Sequence, residues 1–299
     1  MLRGASWLGV SLAVTSALAV VVSVSAQGRD NPSPLERMVA AERAFAQRAT
    51  VVGWKQAFIE YFADDAVAFA GNETSPAKEG LRQAPDPPRD LQLLWEPRWG
   101  DAAASGDLGY LTGPSTNINP ARNNGAPRYG NYASIWKRQA DGSYKVLIDV
   151  GVNLPSEPPF APGFTRAPGA NRYTGGDTVD AARRALSAAD AELDRLAVTS
   201  QATGYQGKLA EGVRLHRFAV MPVVGVTAAT AWLKTQPAYT SGEARFADVA
   251  QSRDLGYTWG TYVLAAAGNS TPEKGFYVRA WTRAADGSWA VALDVTQPQ

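Results

Sequence analysis

Apolar residues recur at helical spacing from Leu35 to Phe62, with Met38, Ala41, Phe45 and Ala46 on one stripe. A second helical stretch runs from Ala181 to Leu209. Ser33 precedes Pro34, the order expected of a helix cap and a first helical residue. After each helical stretch the period shortens to two. A short strand is predicted at Ala66–Gly71 and again at Val213–Val220. Longer alternating strands follow, at about 92–104, 107–118, 130–139 and 144–151, then at about 240–251, 254–266, 275–284 and 289–296. Ala-Asp-Gly-Ser at 140–143 and 285–288 supplies the tight turn between the last two strands of each set. The pattern predicts an α+β chain in which helices precede an antiparallel meander.

The two halves share sequence as well as pattern. Residues 96–110, EPRWGDAAASGDLGY, match 243–257, EARFADVAQSRDLGY. Residues 132–150, YASIWKRQADGSYKVLIDV, match 277–295, YVRAWTRAADGSWAVALDV. Two blocks at nearly one offset predict a tandem duplication. The expected organisation is a signal peptide at 1–26, an extension at 27–34, a first domain at 35–152, a linker at 153–178 and a second domain at 179–299. The linker assignment rests on its Pro and Gly density, which disfavours regular structure. Phe160, Phe164 and Tyr173 support the competing reading, a loop laid along one domain.

Charge and composition narrow the partners. With 29 basic and 28 acidic residues in 299, no electrostatic nucleic-acid or anionic-membrane partner is expected. Arg3, the apolar run Trp7 to Val24 and the small-x-small end Val24-Ser25-Ala26 predict export to the periplasm or cell exterior. The competing reading is an uncleaved anchor. The chain has no Cys and one His, which removes thiolate nucleophiles and nearly all zinc, copper and haem sites; no metal and no cofactor is expected. Asn72-Glu73-Thr74 and Asn269-Ser270-Thr271 match a glycosylation pattern.

Phe62-Ala63-Asp64-Asp65-Ala66-Val67 at the helix-to-strand junction, and the Asp-Gly-Ser-aromatic hairpin followed by Val-x-x-x-Asp-Val, carry a resemblance. With this order of elements the chain resembles the nuclear transport factor 2-like superfamily, in its SnoaL-like and ketosteroid isomerase-like branch. The resemblance covers most of both halves. It implies two tandem cone-shaped domains, each with N-terminal helices packed on a curved antiparallel sheet around an apolar pocket. Members include isomerases, cyclases, dehydratases, lyases, hydrolases and binding or assembly modules, so it implies no single chemistry. The isomerase base position falls on Ala70, and near Arg217 in the second half; the oxyanion Tyr position falls near Ala46. Ketosteroid isomerase activity is therefore not expected.

The candidate residues are few. Asp65 and His216 are the candidate catalytic groups, His216 as a base within the second pocket. Tyr110, Tyr132, Trp136, Tyr257, Trp259, Tyr277 and Trp281 are expected either to line a pocket for a small apolar ligand or to pack as core. Thr112 stands where the second half has Trp259, so two cavities of different size are expected. Strand alternation puts Tyr144, Val146, Ile148 and Val150 on the helix side, with Trp289, Val291, Leu293 and Val295 as their counterparts. Asp149 and Asp294 then point away, as surface or interface acids paired with Arg138 or Arg283. Pro114 to Asn131, with Arg122 and Arg128, reads as a long solvated loop or a lid. Three functions stay open: binding of a small apolar molecule, an enzyme of the lyase, isomerase or hydrolase kind, and an assembly module. In the third the sheet faces pair, as an intramolecular pseudo-dimer or a homodimer.

Overall fold

The computed structural model describes residues 31–70, 73–88, 90–169, 172–266 and 271–299. The signal-peptide expectation and the Asn72 and Asn269 patterns fall on residues outside these. In the N-terminal half, α1 (Pro34–Val52) and α2 (Trp54–Tyr61) replace one continuous helix. They meet at Gly53, whose φ of 84° is a conformation that favours glycine. Ser33 and Glu36 close a capping box at the start of α1. A two-stranded hairpin, β1 (Val67–Ala70) and β2 (Glu73–Pro76), and α3 (Ala77–Gln83) follow. The expected strand at 92–104 is split at Pro97 into β3 (Gln92–Trp95) and β4 (Trp99–Ala102), because proline has no N–H for the ladder. β5 (Leu108–Ile118), β6 (Arg128–Arg138) and β7 (Tyr144–Asn153) complete the meander. β5 and β6 run well into the expected loop because β3 pairs with the end of β5, Gln92 opposite Ile118.

The C-terminal half repeats this order. α4 (Val179–Ala197) and α5 (Gln201–Tyr205) precede β9 (Leu209–Arg217), β10 (Val220–Val224), α6 (Val226–Leu233), β11 (Tyr239–Val249), β12 (Leu255–Leu264), β13 (Lys274–Arg283) and β14 (Trp289–Pro298). Its sheet has the order β10-β9-β14-β13-β12-β11, with β9 parallel to β14. The chain is thus α+β, with helices packed on antiparallel sheets. The segment expected as a linker is laid along the protein. β8 (Thr165–Arg166) pairs with β4, and Arg172 forms a bridge with Ala284. Ala167 is buried, and Phe160 and Phe164 pack against the core. Their apolar side chains outweigh the extending tendency of the prolines.

Strand parity is where sequence alternation fails. Ile135 faces Ile148, but the next residue, Trp136, faces Val146, so Leu147 is an extra residue in β7. Ala280 faces Leu293 and Trp281 faces Val291, so Ala292 is the same bulge in β14. An extra residue exchanges the two faces beyond it. Tyr144 and Val146 share the helix side with Asp149 and Gly151, while Ile148 and Val150 turn outward. Trp289 and Val291 likewise share it with Asp294 and Thr296, and Leu293 and Val295 turn outward. Asp149 and Asp294 therefore point at the helices. The expectation that they face away, paired with Arg138 or Arg283, is corrected.

The outward faces of the two sheets contribute to one apolar cluster, including Tyr110, Ile135, Ile148 and Val150 with Tyr257, Phe276, Val278, Leu293 and Val295. Phe69 of the β1–β2 hairpin stacks on Phe276 at 4.1 Å and meets Trp259 edge-on at 5.5 Å. Two turns close the layer at one end. Ser105 N donates to Ser252 Oγ at 3.1 Å and Ser252 N to Ser105 Oγ at 3.1 Å. Beside them Ala104 N donates to Asp254 and Gln251 N to Asp107, each at 3.1 Å. Equivalent residues of the repeated blocks exchange equivalent bonds, as in a two-fold interface. Pro32–Gln299 accordingly form one unit. Calorimetry is expected to give a single unfolding transition. Phe276→Ala should lower stability by about 3–5 kcal/mol without splitting that transition.

Candidate functional site

Each half encloses a space between its helices and the inner face of its sheet, and the two spaces are filled differently. In the N-terminal half α1 directs Met38, Glu42, Phe45 and Ala49 at the sheet, and all are buried. Phe45 anchors an aromatic cluster with Phe58, Tyr61, Trp95 and Trp136, at ring separations of 4.8 to 6.3 Å. Glu42 lies within this cluster, fully buried. Its carboxylate accepts from Trp95 Nε1 at 2.6 Å, Ser134 Oγ at 2.6 Å and Trp136 Nε1 at 2.8 Å.

Beside Glu42 is a cavity of about 350 Å³ walled by Trp54, Phe58, Leu91, Leu93, Trp95 and Tyr132. Asp149 and Gly151 form its floor on β7, and Ser115 and Asn117 its side on β5. Asp149 pairs across the ladder with Ser134, whose hydroxyl is committed to Glu42. Among the described residues Asp149 has no cation and no hydrogen-bond donor. Burial, and then the neighbouring charge of Glu42, push its carboxyl well above the usual range. Glu42 is also raised by burial, against the pull of its three donors. The Tyr132 hydroxyl and Trp54 Nε1 are buried without a partner among the described residues. The cavity thus combines aromatic walls, one carboxyl held toward its neutral form, and two unsatisfied donors.

The C-terminal half carries charge in the matching place. Asp190 of α4 takes the place of Glu42 in the buried stripe, as Leu186, Leu193 and Ala197 take those of Met38, Phe45 and Ala49, and Arg279 stands where β6 has Ser134. Arg279 is fully buried. It donates to Asp190 at 2.5 Å, Asp194 at 2.8 Å and Asp294 at 3.1 Å. The Tyr277 hydroxyl lies 2.9 Å from Asp190 and 2.7 Å from Asp194. Arg217 meets the other oxygen of Asp294 at 2.9 Å, and Tyr205 donates to Asp294 as well. Burial pulls Asp294 upward, but Arg217 and Arg279 outweigh it and hold the carboxylate below its ordinary value. Three acids face two guanidinium groups, and burial together with the Asp194 charge pushes Asp190 up to about 6.

The sequence candidates separate by register. Tyr132 and Trp136 face the first interior, Tyr277 and Trp281 the second. Tyr110 faces Ile135 across the ladder and so lies on the outer side, as do Tyr257, opposite Ala280, and Trp259, opposite Val278. Those three build the layer between the sheets. Of the seven aromatics, Tyr132 lines the 350 Å³ cavity. His216 is opposite Val295, outside the second interior. It is fully buried, neither ring nitrogen has a partner among the described residues, and burial beside Arg214 and Arg217 lowers its pKa to about 3. A neutral imidazole outside the cone is no base for it. Asp65 is on the surface, its side chain 68% exposed and 3.9 Å from Lys137. Glu42, Asp190, Asp194 and Arg279 were not singled out in the sequence. A signal was present: Glu42 falls in the stripe Met38, Phe45, Ala49, and Asp190 in the stripe Leu186, Leu193, Ala197, where only a partnered acid is tolerated.

Neither a family model nor a curated protein sequence matches this chain. Solved structures are similar to part of it. A nuclear transport factor 2-like protein with a cystatin-like fold from Novosphingobium aromaticivorans is 16% identical over 39% of this chain and 80% of its own, with a TM-score of 0.33. A ketosteroid isomerase-like protein from Erwinia carotovora is 18% identical over 40% of this chain and 95% of its own, with a TM-score of 0.31. A nuclear transport factor 2-like protein from Cytophaga hutchinsonii is 12% identical over 39% of this chain and 98% of its own, with a TM-score of 0.33.

The two interiors predict opposite responses to charge removal. Groups with raised folded-state pKa values contribute stability that is complete below the unfolded value and is lost as pH rises through the folded one. For Asp190 that window runs from 3.8 to about 6. Glu42 and Asp149 lose stability in the same direction. Asp149→Asn is expected to unfold at a higher temperature than the native chain at pH 8, by about 2–4 °C for each kcal/mol gained, and to show a shallower decline from acid to neutral pH. Arg279→Leu should instead cost about 3–5 kcal/mol at neutral pH in denaturant unfolding, because three buried acids lose their shared cation. That loss should shrink in acid, where the acids take up protons.

Proposed function

We propose that the chain binds a small, largely apolar molecule in the N-terminal cone, with Asp149 meeting a hydrogen-bond acceptor on an otherwise aromatic or aliphatic ligand. One observation carries this reading: Asp149 has no partner among the described residues and faces a cavity of about 350 Å³ with aromatic walls. A carboxyl in such a place is stable mainly in its neutral form, in which it donates a hydrogen bond. A ketone, quinone or ester suits it, and an anion is repelled by Glu42. The same reading takes the chain as an exported duplication whose two domains pair back to back. The repeated blocks, the shared apolar layer and the reciprocal Ser105–Ser252 bonds support it. If the site is enzymatic, Asp149 replaces Asp65 and His216 as the acid at work, since a perturbed acid in a cavity is the usual sign of one.

Calorimetric titration with 2-acetonaphthone, a neutral aryl ketone, tests the proposal against 2-naphthoate, its anionic counterpart. The ketone should bind and the carboxylate should bind at least about tenfold more weakly. Asp149→Leu should weaken the ketone by about tenfold, the equivalent of one hydrogen bond. Ser115→Trp, which fills the cavity from β5, should abolish binding. Ketone affinity that survives Ser115→Trp, or heat of dilution alone with the native chain, would sink the reading.

A further inference from the structure

The C-terminal cone has an opening of its own at the matching place, and its chemistry is different. A cavity of about 130 Å³ is lined by Gln201, Arg217, Tyr262 and Thr296. These stand where the N-terminal half has Trp54, Ala70, Ser115 and Gly151. Three of those four positions line the first cavity. The substitutions shrink the space and make it polar. Trp232 and Glu273 complete the wall and the rim.

Arg217 is 6% exposed. Its Nη1 is saturated by the carbonyls of His216 and Asp294 and by the Asp294 carboxylate. Its Nη2 has no hydrogen-bond partner among the described residues. The guanidinium lies 5.5 Å from the centre of the Trp232 ring. At the rim Glu273 is exposed and accepts from the Tyr262 hydroxyl at 2.8 Å through one of its two oxygens. The cavity therefore has a cation at the buried end and a carboxylate at the open end. A bare anion is opposed by the three acids beneath Arg217, which already exceed the two guanidinium groups there. A ligand with no net charge meets no such penalty. The volume is that of about four waters, enough for five or six heavy atoms.

We infer that this cavity is a second site, for a zwitterionic amino acid of glycine or alanine size, with its carboxylate on Arg217 and its ammonium on Glu273. The site is independent of the first cone. Replacing Arg217 also frees Asp294 and threatens the fold, so the decisive variant is at exposed Glu273. Thermal unfolding is followed with glycine, with acetate and with methylammonium. Glycine should raise the unfolding temperature, and each half-ligand should need at least about tenfold higher concentration for the same rise. Glu273→Gln should bring glycine down to the level of acetate, and Ser115→Trp, which fills only the first cavity, should leave the glycine response intact. A glycine response no stronger than that of acetate or methylammonium, one that Glu273→Gln leaves unchanged, or one lost in Ser115→Trp would overturn the inference.

Discussion

Leu147 in β7 and Ala292 in β14 have no partner of their own in the ladder, and at each the strand exchanges its faces. Before the bulge, Tyr144 and Val146, or Trp289 and Val291, serve the interior beneath the helices. After it, Ile148 and Val150, or Leu293 and Val295, serve the layer between the sheets, and an acid takes the interior position. A regular strand cannot do both. With uninterrupted alternation Asp149 and Asp294 would lie in the apolar layer between the sheets, where a carboxylate has neither water nor a partner. The bulge is thus what lets one strand supply two cores and one site.

The acid delivered inward meets a different fate in each half. Asp294 finds Arg217 and Arg279, and its ionised form is held. Asp149 finds Ser134, already donating to Glu42, and no cation among the described residues. Coulomb attraction in a buried setting is large, but so is the cost of desolvating each ion, so the second cluster adds little net stability over an apolar core. Its effect is geometric. Arg279 ties Asp190, Asp194 and Asp294 to one point inside the cone. The first half lacks that tie. In the same place Glu42 meets only neutral donors, Trp95, Ser134 and Trp136, next to the rings around Phe45 and an open space beside a neutral-leaning carboxyl.

Much of this was legible in the sequence, and the losses have particular causes. The helices, the meander, the hairpins and the repeated blocks follow from spacing and turn residues, and they appear with shifts of a few positions. Gly53 and Pro97 each break an element that periodicity alone ran straight through. Parity was lost at Leu147 and Ala292, because nothing about a leucine or an alanine in a run of β-formers marks it as the extra residue. That single miss turned both acids the wrong way. Pocket and core could not be told apart among the aromatics for a related reason: residues at alternate positions of neighbouring strands share a face only if the register is known, and Tyr110 pairs with Ile135 while Trp136 pairs with Gly109. The acids in the helical stripes were readable, but an apolar stripe with one acid in it says only that a partner exists, and the partners come from strands far along the chain.

An unpaired carboxyl beside a cavity is a liability for any fold, since both the lost packing and the desolvated acid work against stability. Here the offset lies on the opposite face of the same strands. Ile148 and Val150, which flank Asp149, pack into the layer that includes Phe276, Val278, Leu293 and Val295. The strand that carries Asp149 is therefore clamped from behind by the other half, and the reciprocal turn bonds of Ser105 and Ser252 join the two sheets at one end. A lone cone would have to hold such an acid with its own single core. Joining the two halves by their outer sheet faces lets the ion-tied half, with its smaller cavity, brace the half with the larger one, which is a physical reason for the larger cavity to persist.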